Sequence, residues 1–175
     1  MLKKDQKTTI YDYIIIFLRI VGGTVFIPSG LLKIQGKRFS YFCPEMYSGT
    51  FFNELHHTGF YWSFLGFCQL FTAFLLFSQR YTVLAALMFF SICTNIFIFT
   101  LSVGLIDKSI IMIFMMSIAS LLILWDWKNI NLLFGKTSIG SVIDNDKKVP
   151  VSLQITGTIL FIVVIIFFLL TDTYY

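Results

Sequence analysis

The chain has 175 residues, of which 57% are hydrophobic and 13% charged, with a net charge of +4 and a mean hydropathy of +0.84. Soluble domains carry roughly a quarter charged residues, so this chain lacks the polar surface to clothe a water-soluble core; it reads as an integral membrane protein. Its basic residues are scattered among apolar spans without forming a stripe, which excludes nucleic acid as a partner and points to topology and anionic lipid headgroups.

Residues 1–11 make a short polar tail with Lys3, Lys4 and Lys7, and its last two residues already enter the first span, Ile10–Leu32. A cleaved signal peptide is disfavoured. The apolar run contains Asp12 and Arg19, is too long, and lacks a small-x-small cleavage site. Arg19 is the one full charge well inside it. A guanidinium is costly in hydrocarbon, so it is expected to face other helices, water or a partner. Asp12 lies near the same face, which Gly22, Gly23, Phe26, Gly30 and Lys33 continue. Pro28 falls in the last turns, where a kink or loosening is expected.

The segment 33–59 is too polar to span and too aromatic to be a solvated linker. Phe39, Tyr41, Phe42, Tyr47, Phe51 and Phe52 suggest that it lies on the outer bilayer surface or caps the bundle. Three further apolar helices follow, Phe60–Phe77, Thr82–Val103 and Ser109–Trp125. Their connections are short enough only for tight antiparallel hairpins. The expected fold is therefore all-α. It has a four-helix transmembrane core over residues 12–128, a cytoplasmic loop at 129–150 and an accessory fifth transmembrane helix over 151–175. That last helix has few polar handles beyond Gln154 and Thr156, and it is expected to be the most lipid-exposed.

Orientation follows from Lys and Arg at the span ends. With the N-terminus inside, Lys3, Lys4, Lys7, Arg80, Lys128, Lys136, Lys147 and Lys148 are cytoplasmic. Lys33, Lys37, Arg38 and Lys108 are then outside, so the N-terminus is placed in the cytoplasm and the C-terminus on the periplasmic or extracellular side.

Several side chains are candidates for chemistry. Arg19 offers a fixed charge and a rigid fork of donors for an anion, a lipid or a quinone oxygen. Its structural alternatives are an ion pair with Asp12 or snorkelling to the nearby surface, in which case a leucine is tolerated there. Gln69, Thr94 and Asn95 either glue helices together or join Arg19 in one polar pocket. Glu54, His56 and His57 precede the second helix as an outer-face candidate for proton transfer or weak metal binding, against plain interfacial hydrogen bonding. Adjacent histidines point apart on a helix, so no haem or closed zinc site is expected. The small residues Gly22, Gly23, Gly30, Gly59, Ser63 and Gly66 invite close helix approach. Trp125 and Trp127 bracket Asp126 as an aromatic anchor. Cys43, Cys68 and Cys93 form no CxxC pair, and the two intramembrane thiols read as small apolar filler. GKTS at 135–138 lacks the spacing and strand context of a phosphate loop.

The first helix reads R-x-x-G-G-x-x-F-x-x-S-G-x-x-K, spelled by Arg19, Gly22, Gly23, Phe26, Ser29, Gly30 and Lys33. A basic, aromatic segment follows, and then Gly66-x-x-Gln69. Over residues 12–128 this resembles the DoxX-like family of small bacterial membrane proteins, related to the DoxD and MauE groups. The resemblance implies an inner-membrane protein that serves as an auxiliary subunit of a membrane complex, or takes part in quinone-linked redox of the thiosulfate:quinone type. Many relatives carry a glutamate where this chain has Gln69, which removes a proton carrier and a counter-charge for Arg19. Three functions are therefore expected candidates: an auxiliary subunit, a quinone-linked oxidoreductase subunit with Arg19 on the quinone oxygen, and a small-molecule transporter. No cofactor is required, although quinone is compatible. The expected partners are membrane lipids and other membrane proteins or further copies of the chain.

Overall fold

The computed structural model describes residues 10–37, 53–102, 106–127, 130 and 149–172. The N-terminal tail, most of the outer segment with its aromatic cluster and Cys43, and nearly all of the loop before Pro150 lie outside the described residues. Five helices follow in order: α1 Ile10–Ile34, α2 Phe60–Ser78, α3 Thr82–Ser102, α4 Ile106–Trp125 and α5 Val151–Asp172. No strand occurs among the described residues. The fold is all-α and the protein is a multi-pass membrane protein. Four helices (α1, α2, α3 and α5) are long and apolar enough to cross a bilayer, while α4 contributes a shorter apolar stretch, Ile110–Trp125.

Helix ends differ from the expectation where local chemistry is subtle. α1 runs through Pro28, as expected of a spanning helix that tolerates one missing backbone bond, and ends at Ile34, two residues beyond the expected Leu32. α4 starts at Ile106, so Asp107 and Lys108 belong to its first turn rather than to the connection.

Packing divides the bundle into two hairpins. α1 lies along α2, and α3 lies along α4. The first pair is close because both helices lack a side chain at their crossing. A methyl group on Gly66 would come within 2.7 Å of the Gly30 carbonyl oxygen and of Lys33 Cβ. Gly59, by contrast, sits at φ 59° before α2 in open space and takes no part in this face. The hairpins join through an aromatic layer. The fully buried Phe89 ring of α3 covers Gly22 and lies 4.9 Å from the Phe26 ring, while Phe77 covers Gly23. Small residues of α1 thus receive the large rings of α2 and α3, which is how apolar helices gain van der Waals contact where lipid supplies no hydrophobic drive.

α5 packs outside, against α2 and α1. Only 11% of its apolar stretch is buried, against 33–44% in the other three candidate spans. Its docking relies on Gly157, which lies directly against the Phe77 carbonyl oxygen, and on Phe161, whose ring is 5.6 Å from Phe74 and 5.7 Å from Phe77. Gly157→Val is expected to cost about 1–3 kcal/mol by forcing these backbones apart. Unfolding in detergent titrated with SDS checks this, and an unchanged midpoint would show that α5 is not held there.

Candidate functional site

The polar interior of the bundle falls into two clusters on α1. Arg19 and Lys33 are fourteen residues apart on that helix, or about 21 Å along its axis.

The first cluster surrounds Arg19. Arg19 is 4% exposed, and its guanidinium donates from one terminal nitrogen to Gln79 Oε1 at 2.9 Å and from the other to Asp126 Oδ2 at 2.9 Å. Asp126 follows α4 directly, and Gln79 is the C-cap of α2 in the left-handed conformation, φ 53°. A residue with a Cβ is disfavoured in that conformation. Here Gln79 is held from both sides, because its amide also donates to the Leu76 carbonyl at 2.7 Å. The cation therefore sits under the C-terminal ends of two helices, where the helix dipoles favour positive charge. The arrangement ties α1, α2 and α4 together with both partners buried.

This corrects three expectations. The carboxylate in the ion pair is Asp126, which the sequence presented as one member of an aromatic anchor. Trp125 and Trp127 on either side of it remain exposed, while Asp126 itself turns inward. Arg19 does not snorkel, and its terminal nitrogens are committed to protein acceptors. A leucine in its place would take the cation away from the buried Asp126 carboxylate. Nor does Arg19 meet Gln69, Thr94 and Asn95 in one pocket: Gln69 belongs to the other cluster, and the Thr94 hydroxyl bonds the Phe90 carbonyl at 2.8 Å, close to Met116 Sδ.

The second cluster lies near the opposite end of α1. Lys33 Nζ donates to Ser29 Oγ at 2.6 Å and to Gln69 Oε1 at 3.0 Å, and stands 5.2 Å over the Trp62 ring. Ser29 Oγ also donates to Gln69 Oε1 at 3.2 Å. The close approach at Gly30 and Gly66 makes this possible, since Lys33 Cβ rests on Gly66 itself.

These groups form one end of a cavity of about 540 Å³ between the two hairpins. Below Lys33, Gln69 and Trp62 the walls are Phe26, Leu65, Ile92, Ile96, Phe99 and Met115, with Asn95 as a further polar group. Cys68 and Cys93 also border this space as free thiols. A volume of this order is that of a small-molecule site, roughly 300–1,000 Å³, and so is the pattern of apolar walls with a few convergent polar groups. Along α1 the cavity reaches Val25 and Phe26, and the Phe26–Phe89 contact and then the Arg19 cluster lie towards the start of that helix.

The histidine group is peripheral. His56 Nε2 bonds the Gly36 carbonyl at 2.7 Å and its ring lies 6.0 Å from Trp62, so it ties the helical residues 53–57 to the end of α1. Glu54 and His57 are exposed, and no group of three or more potential metal ligands occurs among the described residues. Sequence inspection missed Gln79 and Asp126 as partners of Arg19, and took Lys33 only as the end of a helical face. The signal that was present is the pairing of an intramembrane cation with the nearest acidic and amide residues at helix ends.

No protein-family model, curated protein or solved structure matches the chain.

Proposed function

We propose that this chain is an auxiliary inner-membrane subunit of the DoxX-like kind, with five transmembrane helices and a cytoplasmic N-terminus, which binds a lipophilic small molecule in the cavity below Lys33. The observation that carries the binding role is the cavity itself: about 540 Å³ of mainly apolar space ending in an ammonium, a hydroxyl and a carboxamide. The helix-one pattern supports the family reading. Its members form one inner face: Arg19 in the ion pair, Gly22 and Gly23 under aromatic rings, Phe26 on Phe89, Gly30 at the helix crossing, and Ser29 and Lys33 at the cavity.

A quinone-linked role remains a second reading with one observation in its favour. A quinone oxygen would be met by Lys33 and the Gln69 amide, which border the cavity, rather than by Arg19, which does not. A transport role requires the Phe26–Phe89 layer and the ion pair beyond it to part, and nothing in the packing favours that.

The test is purification in a mild detergent, followed by solvent extraction and mass spectrometry. The native protein is expected to retain a lipophilic species near one per chain. Asn95→Trp, which fills the cavity from a position with room for a larger side chain, is expected to lose it without losing thermal stability. An extract from the native protein holding only bulk lipid, in bulk proportions, overturns the binding role.

A further inference from the structure

A carboxamide has two polar ends, and at Gln69 only one is answered. Its Oε1 accepts from Lys33 Nζ at 3.0 Å and from Ser29 Oγ at 3.2 Å. An ammonium can only donate, which fixes the amide with its oxygen towards that pair and its nitrogen away from them. Neither N–H of Nε2 meets an acceptor among the described residues. Gln69 is 3% exposed, yet this nitrogen is not sealed within protein. The open space that Gln69 borders is the cavity.

Depth makes the open donor consequential. Gln69 is the tenth of nineteen residues of α2, about 14 Å from either end of the helix. The hydrocarbon core of a bilayer is about 30 Å thick, so the donor lies near the midplane. Lipid tails offer no acceptor there, and an N–H left without one is costly. Asn95 of α3 borders the same space, and its carboxamide also makes no hydrogen bond among the described residues. Lys33 Nζ is spent on Ser29 and on Gln69 Oε1, so the polarity left facing the cavity is that of neutral amides. An amide dipole carries no charge to offset that of an ion at this depth.

Resting on the reading of this cavity as a ligand site, we infer that its ligand is an uncharged lipophile with a carbonyl oxygen, a ketone, ester or amide, which accepts from Gln69 Nε2. Lys33 and Ser29 are positioning residues: by holding Oε1 they turn the N–H groups towards the ligand. Asn95 can present either end of its carboxamide and so accommodates a second polar group of either kind.

Gln69→Glu isolates the donor. It keeps a carboxylate oxygen for Lys33 and Ser29, which hold it ionised, and puts a second oxygen where the N–H groups were. Purified protein in detergent is titrated with 2-, 4- and 7-tridecanone, each isotopically labelled at the carbonyl, and the labelled stretch is followed by infrared difference spectroscopy. At least one ketone is expected to give a saturable, downshifted band. Gln69→Glu is expected to lose that band with an unchanged unfolding midpoint. Tridecane and tridecanoate are expected to compete with the ketone about tenfold more weakly than unlabelled ketone does, the worth of one hydrogen bond. This competition uses the native protein and decides the same point if Gln69→Glu fails to fold. A band that survives Gln69→Glu overturns the assignment to Gln69, and its loss in Asn95→Leu would then name Asn95 as the donor. Tridecane competing as well as the ketone overturns recognition of a carbonyl, and tridecanoate doing so overturns the requirement for an uncharged ligand. Absence of a shifted band with all three ketones overturns the inference, and only an empty solvent extract in addition overturns the binding role itself.

Discussion

Asp126→Leu is expected to destabilise the bundle by about 3–5 kcal/mol, the usual consequence of removing one member of a buried ion pair. Arg19 would keep its bond to Gln79 but would remain a full charge, 4% exposed, facing leucine in place of a carboxylate. The double variant Arg19→Met with Asp126→Leu is expected to recover most of the loss, because two apolar side chains of similar size need no compensating charge. Asp126→Asn keeps an acceptor without the charge and should fall between. The measurement is reversible unfolding in mixed micelles, followed by helical circular dichroism. A single variant as stable as the native protein would mean that the clasp between α1, α2 and α4 contributes nothing. The effect is also expected to remain separate from ligand binding, since the cavity reaches no further down α1 than Val25, about 9 Å from Arg19, with the Phe26–Phe89 contact beside it.

Phe89→Ala is expected to cost about 3–5 kcal/mol, the range for deleting a buried phenylalanine ring. The ring is fully buried where the two hairpins meet, against Gly22 and Phe26. Because helices in lipid are held by contact rather than by escape from water, the loss is one of packing. Gly22 cannot fill the space left behind. The same change takes away the ring that backs Phe26, which lines the cavity, so the variant is expected to admit a larger ligand at the expense of stability. Unfolding in SDS measures the stability, and mass spectrometry of the species retained through purification measures the ligand. A stable variant that retains the same species would separate Phe89 from the cavity.

The helices themselves were legible because a spanning segment declares itself by length and apolar content. Phe60–Ser78 and Thr82–Ser102 end within a residue of the predicted limits, with a very short turn between them. The lipid-facing character of α5 was equally plain in its unbroken β-branched and aromatic run. The inner face of α1 could also be read, since Arg19, Gly22, Gly23, Phe26, Gly30 and Lys33 recur at helical spacing. What that face meets could not. Gln69 and Gln79 are both glutamines near or in α2, and only Gln69 was a candidate neighbour of Arg19, as the alternative to a role in gluing helices together. Antiparallel packing decides otherwise: the end of α2 lies beside the first half of α1, and its beginning beside the second.

The amino-acid sequence by itself determined that this is an oily, helical, multi-pass membrane protein and which side of its first helix turns inward, because both are properties of single segments and of the solvent around them. Tertiary structure alone decided that Asp126 and Gln79 answer Arg19, and that Lys33, Ser29 and Gln69 close one end of a cavity. Those contacts join residues from 36 to 107 positions apart across helices, apart from the Ser29–Lys33 turn. They depend on which helices are neighbours and how deeply each is set, and side-chain periodicity within one helix carries no information about either.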